Sequence, residues 1–312
     1  MADKTGIEWT DSTWNPIRGC SRVSEGCRNC YAEGVAVRFS KPGMPYEGLI
    51  ATGGQWNGTI KLVPDLLDWP LRKRKPMRIF VNSMSDLFHE SVPDTFIDKV
   101  FAVMAIAQWH TFQVLTKRPD RMVAYFADMK KSSDRGFNVC SYFGATDEQV
   151  DRIARIPSGL PNVWLGVSVE DQATADERIP LLLQTPAAVR WISAEPLLGP
   201  VDLGKHLFVG AEGGIDFSYT PRNLLHWVVV GGESGRHARP MQREWARSLR
   251  DQCEAASVPF LFKQWGEWAP NWLNDDNGIE TPGSMWMDRM GKKMAGRMLD
   301  GKLHDEYPRV HP

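Results

Sequence analysis

The chain is punctuated by short apolar, β-branched runs, each closed by polar residues and most followed by a stretch with helical spacing. The runs are "RIFVNSMSD" (78–86), "TFQVLTKRPD" (111–120), "NVWLGVSVED" (162–171), "VRWISAEPLL" (189–198), "HWVVVGGESG" (226–235) and "VPFLFKQWGEW" (258–268). A strand covered on both faces loses its polar alternation and reads as a nearly continuous apolar run, so these predict buried parallel strands. Between them, "VPDTFIDKVFAVMAIA" sets Phe96, Val100, Val103 and Met104 at helical spacing behind Pro93 and Asp94, and "PMQREWARSLRDQCEAA" repeats the device with Trp245, Leu249 and Cys253. With an N-terminal strand near 7–17 there are about seven strand–helix units, which predicts an α/β fold. The expected architecture is a partial or complete (βα) barrel over residues 1–268, carrying a cysteine loop at 20–30, with a C-terminal extension over 269–312 packed on it.

Composition narrows the compartment and the partners. The 312 residues are 42% apolar, enough for a sizeable core. The N-terminus lacks an apolar signal segment, and no run reaches the roughly eighteen apolar residues of a membrane span. The expectation is a reducing cytoplasm without membrane attachment, where clustered thiols serve metal or redox chemistry rather than disulfides. A net charge of −1 gives no global attraction for nucleic acid. The basic stretches at 72–75 and 289–297 read first as solvated surface, and the thirteen tryptophans first as packing, with an aromatic platform for bases as the lesser reading.

In a barrel the residues just past each strand converge on one face, where such folds keep their sites. Here they include Ser83, Ser85 and Asp86; Lys117 and Arg118; Ser168, Glu170 and Asp171; Ser193 and Glu195; Gly231, Gly232 and Glu233; and Lys263 and Gln264. Two longer connections, at 129–161 and 201–225, interrupt the alternation and read as lids, substrate loops or decoration.

The sharpest chemical signal is "TWNPIRGCSRVSEGCRNCYAE" (13–33), which places Cys20, Cys27 and Cys30 in a C-x6-C-x2-C spacing after the first strand. Cys140 and Cys253 stand alone as ordinary packing residues. Three thiolates would fill three corners of a four-iron cubane and leave one iron open. Structural zinc would need a fourth ligand, for which His89 is a candidate.

The loop resembles a variant of the radical S-adenosylmethionine (radical SAM) cluster loop, although the common spacing is C-x3-C-x2-C with the aromatic residue before the third cysteine rather than after it. From about Gly6 to Pro308 the chain also resembles a phage-associated three-cysteine family with no assigned reaction, through "GIEWTDSTWNPIRGC", "FVNSMSDLFHE", "VLTKRPDRM", "VVVGGESG" and "FKQWGEW". The radical SAM resemblance implies a partial barrel, a [4Fe-4S] cluster on Cys20, Cys27 and Cys30, and bound S-adenosyl-L-methionine. Asp86, Ser85 and Ser83 would then receive the methionyl amino group, and Lys117 or Arg118 the carboxylate. Ser168 and Glu170 would meet the ribose and Tyr31 the adenine, while Lys117, Glu195 and Lys263 would serve the reaction. The Gly-Gly-Glu that usually follows the second strand is missing there and occurs instead at Gly231 to Glu233.

This reading implies a flavodoxin- or ferredoxin-like reductant and, by analogy, a nucleic-acid base or nucleotide as substrate, in a bacterial host cytoplasm if the protein is phage-encoded. The alternatives are a zinc-binding barrel acting as a nucleic-acid-binding or hydrolytic module, and a phage structural or interaction protein.

Overall fold

The computed structural model describes residues 5–207, 224–270 and 287–309. Seven strands form one sheet: β1 (Ser12–Trp14), β2 (Arg78–Val81), β3 (Thr111–Thr116), β4 (Val163–Ser168), β5 (Val189–Ala194), β6 (Trp227–Gly231) and β7 (Phe260–Gln264). They lie in chain order and every neighbouring pair is parallel. Each crossover therefore advances the sheet by one strand in the same sense, and the sheet curls into a half-barrel whose ends, β1 and β7, do not pair. The apolar runs of the sequence are these strands, and the barrel is partial.

Helices cover the outside. They are α1 (Tyr31–Arg38), α2 (Asp94–Ile106), α3 (Pro119–Lys131), α4 (Ser133–Phe143), α5 (Asp147–Ile153), α6 (Gln172–Leu182) and α7 (Arg243–Ala255). Outward strand residues such as Ile79, Val81, Val114, Leu165, Val167, Ile192, Val228 and Phe262 join the helices in one core. The alternate, inward residues Phe80, Trp164, Trp191, Trp227, Val229 and Leu261 form a second cluster with Trp9. Both strand faces are thus apolar, which is why the runs look continuous in sequence.

The inner cluster accounts for part of the tryptophan load. Trp9 meets Phe80, Trp191 and Trp227 at ring-centroid distances of 4.7, 5.2 and 6.3 Å. Gly166 makes room for this filling, because a Cβ there would lie 2.5 Å from the Trp191 ring. The next inward positions turn polar, with Asn82, Lys117, Ser168, Ser193 and Lys263, so a cavity opens at the C-terminal ends of the strands.

Of the three readings of the connection at 129–161, lid, substrate loop or decoration, the structure agrees with the last. The connection completes α3 and then folds into α4 and α5, which pack outside on α2. Arg135 Nη2 lies 2.6 Å from Asp98 Oδ1, to which Tyr125 also donates at 2.9 Å. A buried carboxylate shared by two donors fixes this layer away from the strand ends. Of the connection at 201–225, residues 208–223 lie outside the described residues.

The described part of the C-terminal segment covers an edge. Trp268–Pro270 pairs with Met287–Arg289, and residues 304–306 run antiparallel to β7, with Phe262 N donating to His304 O at 2.9 Å. This satisfies the open hydrogen bonds of the last strand. Tyr307 then packs on Trp227 at 5.2 Å beneath the Arg78 guanidinium. Among the described residues no helix is long and apolar enough to cross a membrane.

Candidate functional site

The polar end of the half-barrel encloses a cavity of about 350 Å³. Cys20, Cys27, Cys30, Tyr31, Ser83, Ser85, Asp86, Lys117, Arg118, Ser168, Glu195 and Lys263 all line it. Glu170 does not; it is 1% exposed and lies against the cysteine loop. A wider groove of about 970 Å³ sits near the start of β5 and β7, with Val189, His226 and Phe260 in its wall, and shares none of these residues. In (βα) barrels chemistry belongs at the other, C-terminal end.

The loop carrying the thiols is held from several sides by strand-end charges. Glu170 accepts from Ser24 Oγ at 3.1 Å, pairs with Lys117, and takes Arg178 Nη1 at 3.2 Å. Gly26 presses against the same carboxylate, since a Cβ at Gly26 would stand 2.4 Å from Glu170 Oε1. Glu233 accepts from Asn29 Nδ2 at 3.0 Å and from Arg239 Nη2 at 2.7 Å, and Arg239 Nη2 also reaches Glu25 O at 2.9 Å. Glu33 binds Arg22 through both oxygens. Three buried carboxylates therefore fasten one short segment.

Arg118 completes the brace. Its Nη2 donates to Ser21 O and Oγ at 3.1 and 2.8 Å, and its Nη1 to Asp86 Oδ2 at 3.1 Å and Cys20 Sγ at 3.9 Å. Asp86 is likewise committed, accepting from Thr116 Oγ1, Lys117 N and Phe88 N besides Arg118. Ser85 Oγ donates to Ile17 O, Ser83 Oγ to Asn15 Oδ1, and the Tyr31 hydroxyl to Ser83 O. The residues expected to grip a cofactor's charged end thus also hold the loop and the strand exits. Lys263 Nζ, by contrast, meets both oxygens of Glu195 at 2.6 and 2.8 Å on the cavity wall itself.

Burial keeps two of the loop's thiols protonated. Burial and the nearby Asp86 push the Cys20 thiol up to about 12 despite Arg118, and burial raises Cys30 as well. Such thiols release their protons when metal binds, because only the thiolate is a ligand. Burial works against ionisation of Glu233, but hydrogen bonds from Arg239 and Asn29 hold its carboxyl below the usual range. Among the described residues no group of three or more His, Cys, Asp or Glu side chains could hold a metal ion. His89, weighed as a fourth zinc ligand, instead places Nε2 2.9 Å from Ser21 Oγ and accepts from Ser91 N at Nδ1.

That geometry gives a pH dependence. With Nδ1 accepting, the ring is the neutral Nε2–H tautomer, and burial followed by the Arg118 charge lowers its pKa below the ordinary 6.5. A depressed folded-state pKa means the unfolded chain takes up the proton more readily. The contribution to stability is therefore intact above 6.5 and is lost as pH falls through the folded value. Between about pH 7 and about pH 5 the melting temperature should drop more steeply in the parent protein than in His89→Asn. Parallel profiles would remove His89 as the cause.

Sequence reasoning did not single out Asn82, Trp9 or Asn29, although all three line the cavity. For Asn82 a signal existed: an asparagine directly after a buried strand is one of the few residues that tolerates a left-handed backbone, and its φ is 61°.

The profile of a family described as "Protein of unknown function (DUF5131)" matches residues 4–308. Among solved structures, the chain is similar to a mutant of spore photoproduct lyase, with a TM-score of 0.41 and 10% identity over 82% of this chain and 77% of that one. A spore photoproduct lyase complexed with dinucleoside spore photoproduct gives a TM-score of 0.35 and 11% identity, over 77% and 71% of the two chains. No curated protein matches the sequence.

Proposed function

We propose that this chain, which belongs to the DUF5131 family, is a radical SAM enzyme whose cluster is held by Cys20, Cys27 and Cys30. The observation that supports this most is the trio of thiols on one braced loop, all lining a single cavity at the C-terminal mouth of a half-barrel. Cys20, Cys27 and Cys30 would be the residues to hold a four-iron cluster, which would supply one-electron chemistry at this cavity. When bound, the cluster supplies one electron to the sulfonium of S-adenosyl-L-methionine, whose cleavage starts hydrogen abstraction from a substrate.

The chain's own residues position and shield. Arg118, Glu170 and Glu233 brace the loop that carries the three cysteines. Trp9, Phe80 and Leu115 give the cavity an apolar floor that excludes water and competing hydrogen donors. Tyr31 and Ser168 are the candidates for the nucleotide. Lys263, with two N–H groups directed at Glu195, keeps a third for an acceptor on substrate. Electrons come from a flavodoxin- or ferredoxin-like partner in the cytoplasm.

Anaerobic reconstitution tests the reading. The expected protein is brown, carries about four irons and matching sulfide per chain, and forms 5′-deoxyadenosine from S-adenosyl-L-methionine under a strong reductant. A colourless protein with one zinc and no cleavage would overturn it.

A further inference from the structure

Exposed apolar side chains gather beside the cysteine loop. Of the twelve large ones exposed among the described residues, five fall between Val23 and Met44: Val23, Tyr31, Val37, Phe39 and Met44. Such residues scattered singly need no explanation, but a contiguous set marks a contact surface. Contiguity follows from the neighbouring contacts. Positions 31, 34, 37 and 38 share one face of α1 and all four are exposed, while Ala32, Glu33 and Ala36 turn inward. Arg22 holds Glu33 through both carboxylate oxygens, which sets Val23 beside the helix. At the other end Tyr46 N donates to Phe39 O at 3.0 Å and brings Met44 alongside. Gly54, where a Cβ would stand 3.6 Å from Val37 Cγ2, adds no side chain over the strip.

The edge of this strip is basic. Arg38 and Lys41 are exposed at its end, and Arg18, whose guanidinium lies 5.7 Å from the centroid of the Tyr46 ring, pairs in register with Lys61. Glu47 is the exposed acid beside them, accepting from Gly43 N at 2.7 Å, and residues 48–60 carry no charge. Four cations against one carboxylate contrast with the net charge of −1 on the whole chain. An apolar centre with a charged rim is the anatomy of a protein interface. A nucleic-acid backbone asks for cations along its track, whereas this strip is apolar from Tyr31 to Val37. Helix α1 starts directly after Cys30, and its eight residues span about 12 Å. The face therefore lies within one short helix of the thiols.

We infer that this face of α1 docks an acidic one-electron donor protein. The inference rests on the radical SAM reading for its electron acceptor and adds the surface through which the electron arrives. A single electron passes from the donor's reduced flavin to the oxidised cluster; no bond forms or breaks and no atom is transferred. Encounters of this kind are small and transient, so the basic edge steers the approach and the apolar strip supplies the contact.

The full chain, reconstituted anaerobically, is reduced by reduced flavodoxin and, separately, by dithionite, which needs no docking surface. Arg38→Glu with Lys41→Glu, and Val37→Ser with Phe39→Ser, should each slow reduction by flavodoxin at least about tenfold. Reduction by dithionite and the melting temperature should stay as in the parent, because Val37 and Phe39 join no buried cluster and the two cations are exposed. Between about 0.1 M and about 1 M salt the screening length falls from about 10 Å to about 3 Å, and the parent should lose its advantage over the charge-reversed pair. Carbodiimide cross-linking of the metal-free chain to flavodoxin, read by mass spectrometry, should join a donor carboxylate to Lys41 or Lys61. That readout needs no iron. The inference is overturned if both variants take electrons from flavodoxin at the parental rate or if neither lysine is cross-linked. It is overturned equally if the face joins two copies of this chain, seen as a dimer that Val37→Ser with Phe39→Ser disperses. Iron content and reduction by dithionite report the cluster reading separately.

Discussion

Cys27→Ala should yield a folded protein with almost no iron and no 5′-deoxyadenosine above the uncatalysed background. Cys27 closes a short 3-10 turn, Glu25–Cys27, and is only half-buried; its sulfur lies 4.0 Å from Ser24 Oγ. Removing it leaves Ser24, Asn29 and Arg22 in their anchors on Glu170, Glu233 and Glu33. The stability change should therefore stay below about 1 kcal/mol, as for a surface substitution away from packed features. Metal binding responds quite differently, because a three-thiol set reduced to two no longer holds a cubane. Iron per chain should fall from about four to well under one, with the circular dichroism spectrum unchanged. Cys140→Ala, on the outer helix α4, is the control and should retain its iron. Full iron and activity in Cys27→Ala would remove the cluster from this loop.

The fold was legible because its main determinant is local. Each strand from β2 to β7 is a run of apolar residues, and parallel strands covered on both sides must look that way. What the runs could not reveal is which residues face inward. Trp164 and Trp191 lie in different strands, and only the parallel register, with Gly166 beside Trp191, shows that a missing side chain on β4 admits an indole from β5. The connection at 129–161 carries Gly, Ser and Pro and reads as a lid, substrate loop or decoration, whereas α4 is fastened to α2 by Arg135, which closes on Asp98 together with Tyr125 of α3.

The strand ends gather at one cavity as their sequence positions imply, but which of them brace the cysteine loop is not readable from spacing. Strand-end charges in sequence resemble ligands for a charged cofactor. In space Glu170 reaches Ser24 across 146 positions, and Glu233 reaches Asn29 across 204. Partners so far apart are invisible to spacing arguments, and a carboxylate that braces a loop has the same composition as one that binds a substrate.

Glu170→Ala separates those two roles for a carboxylate. Were Glu170 a ribose ligand, its loss would weaken cofactor binding and spare the fold. The observed contacts predict the opposite order. Arg178 is 2% exposed and its Nη1 is held by Glu170 and Ser168 O, so deleting the carboxylate leaves a buried guanidinium without its counter-charge. Breaking a buried pair by removing one partner costs about 3–5 kcal/mol, enough to lower the denaturation midpoint plainly in urea. Ser24 loses its acceptor at the same time, so the cysteine loop should loosen and iron retention should fall with stability. Gly26→Ala gives the complementary result. It leaves the ion pairs intact but sets a methyl group 2.4 Å from a carboxylate that Lys117, Arg178 and Ser24 prevent from moving. The loop must lift, so iron retention should fall while the midpoint changes little. If instead both variants kept their iron and midpoint and lost only affinity for S-adenosyl-L-methionine, Glu170 would be a ligand and the brace would have no role.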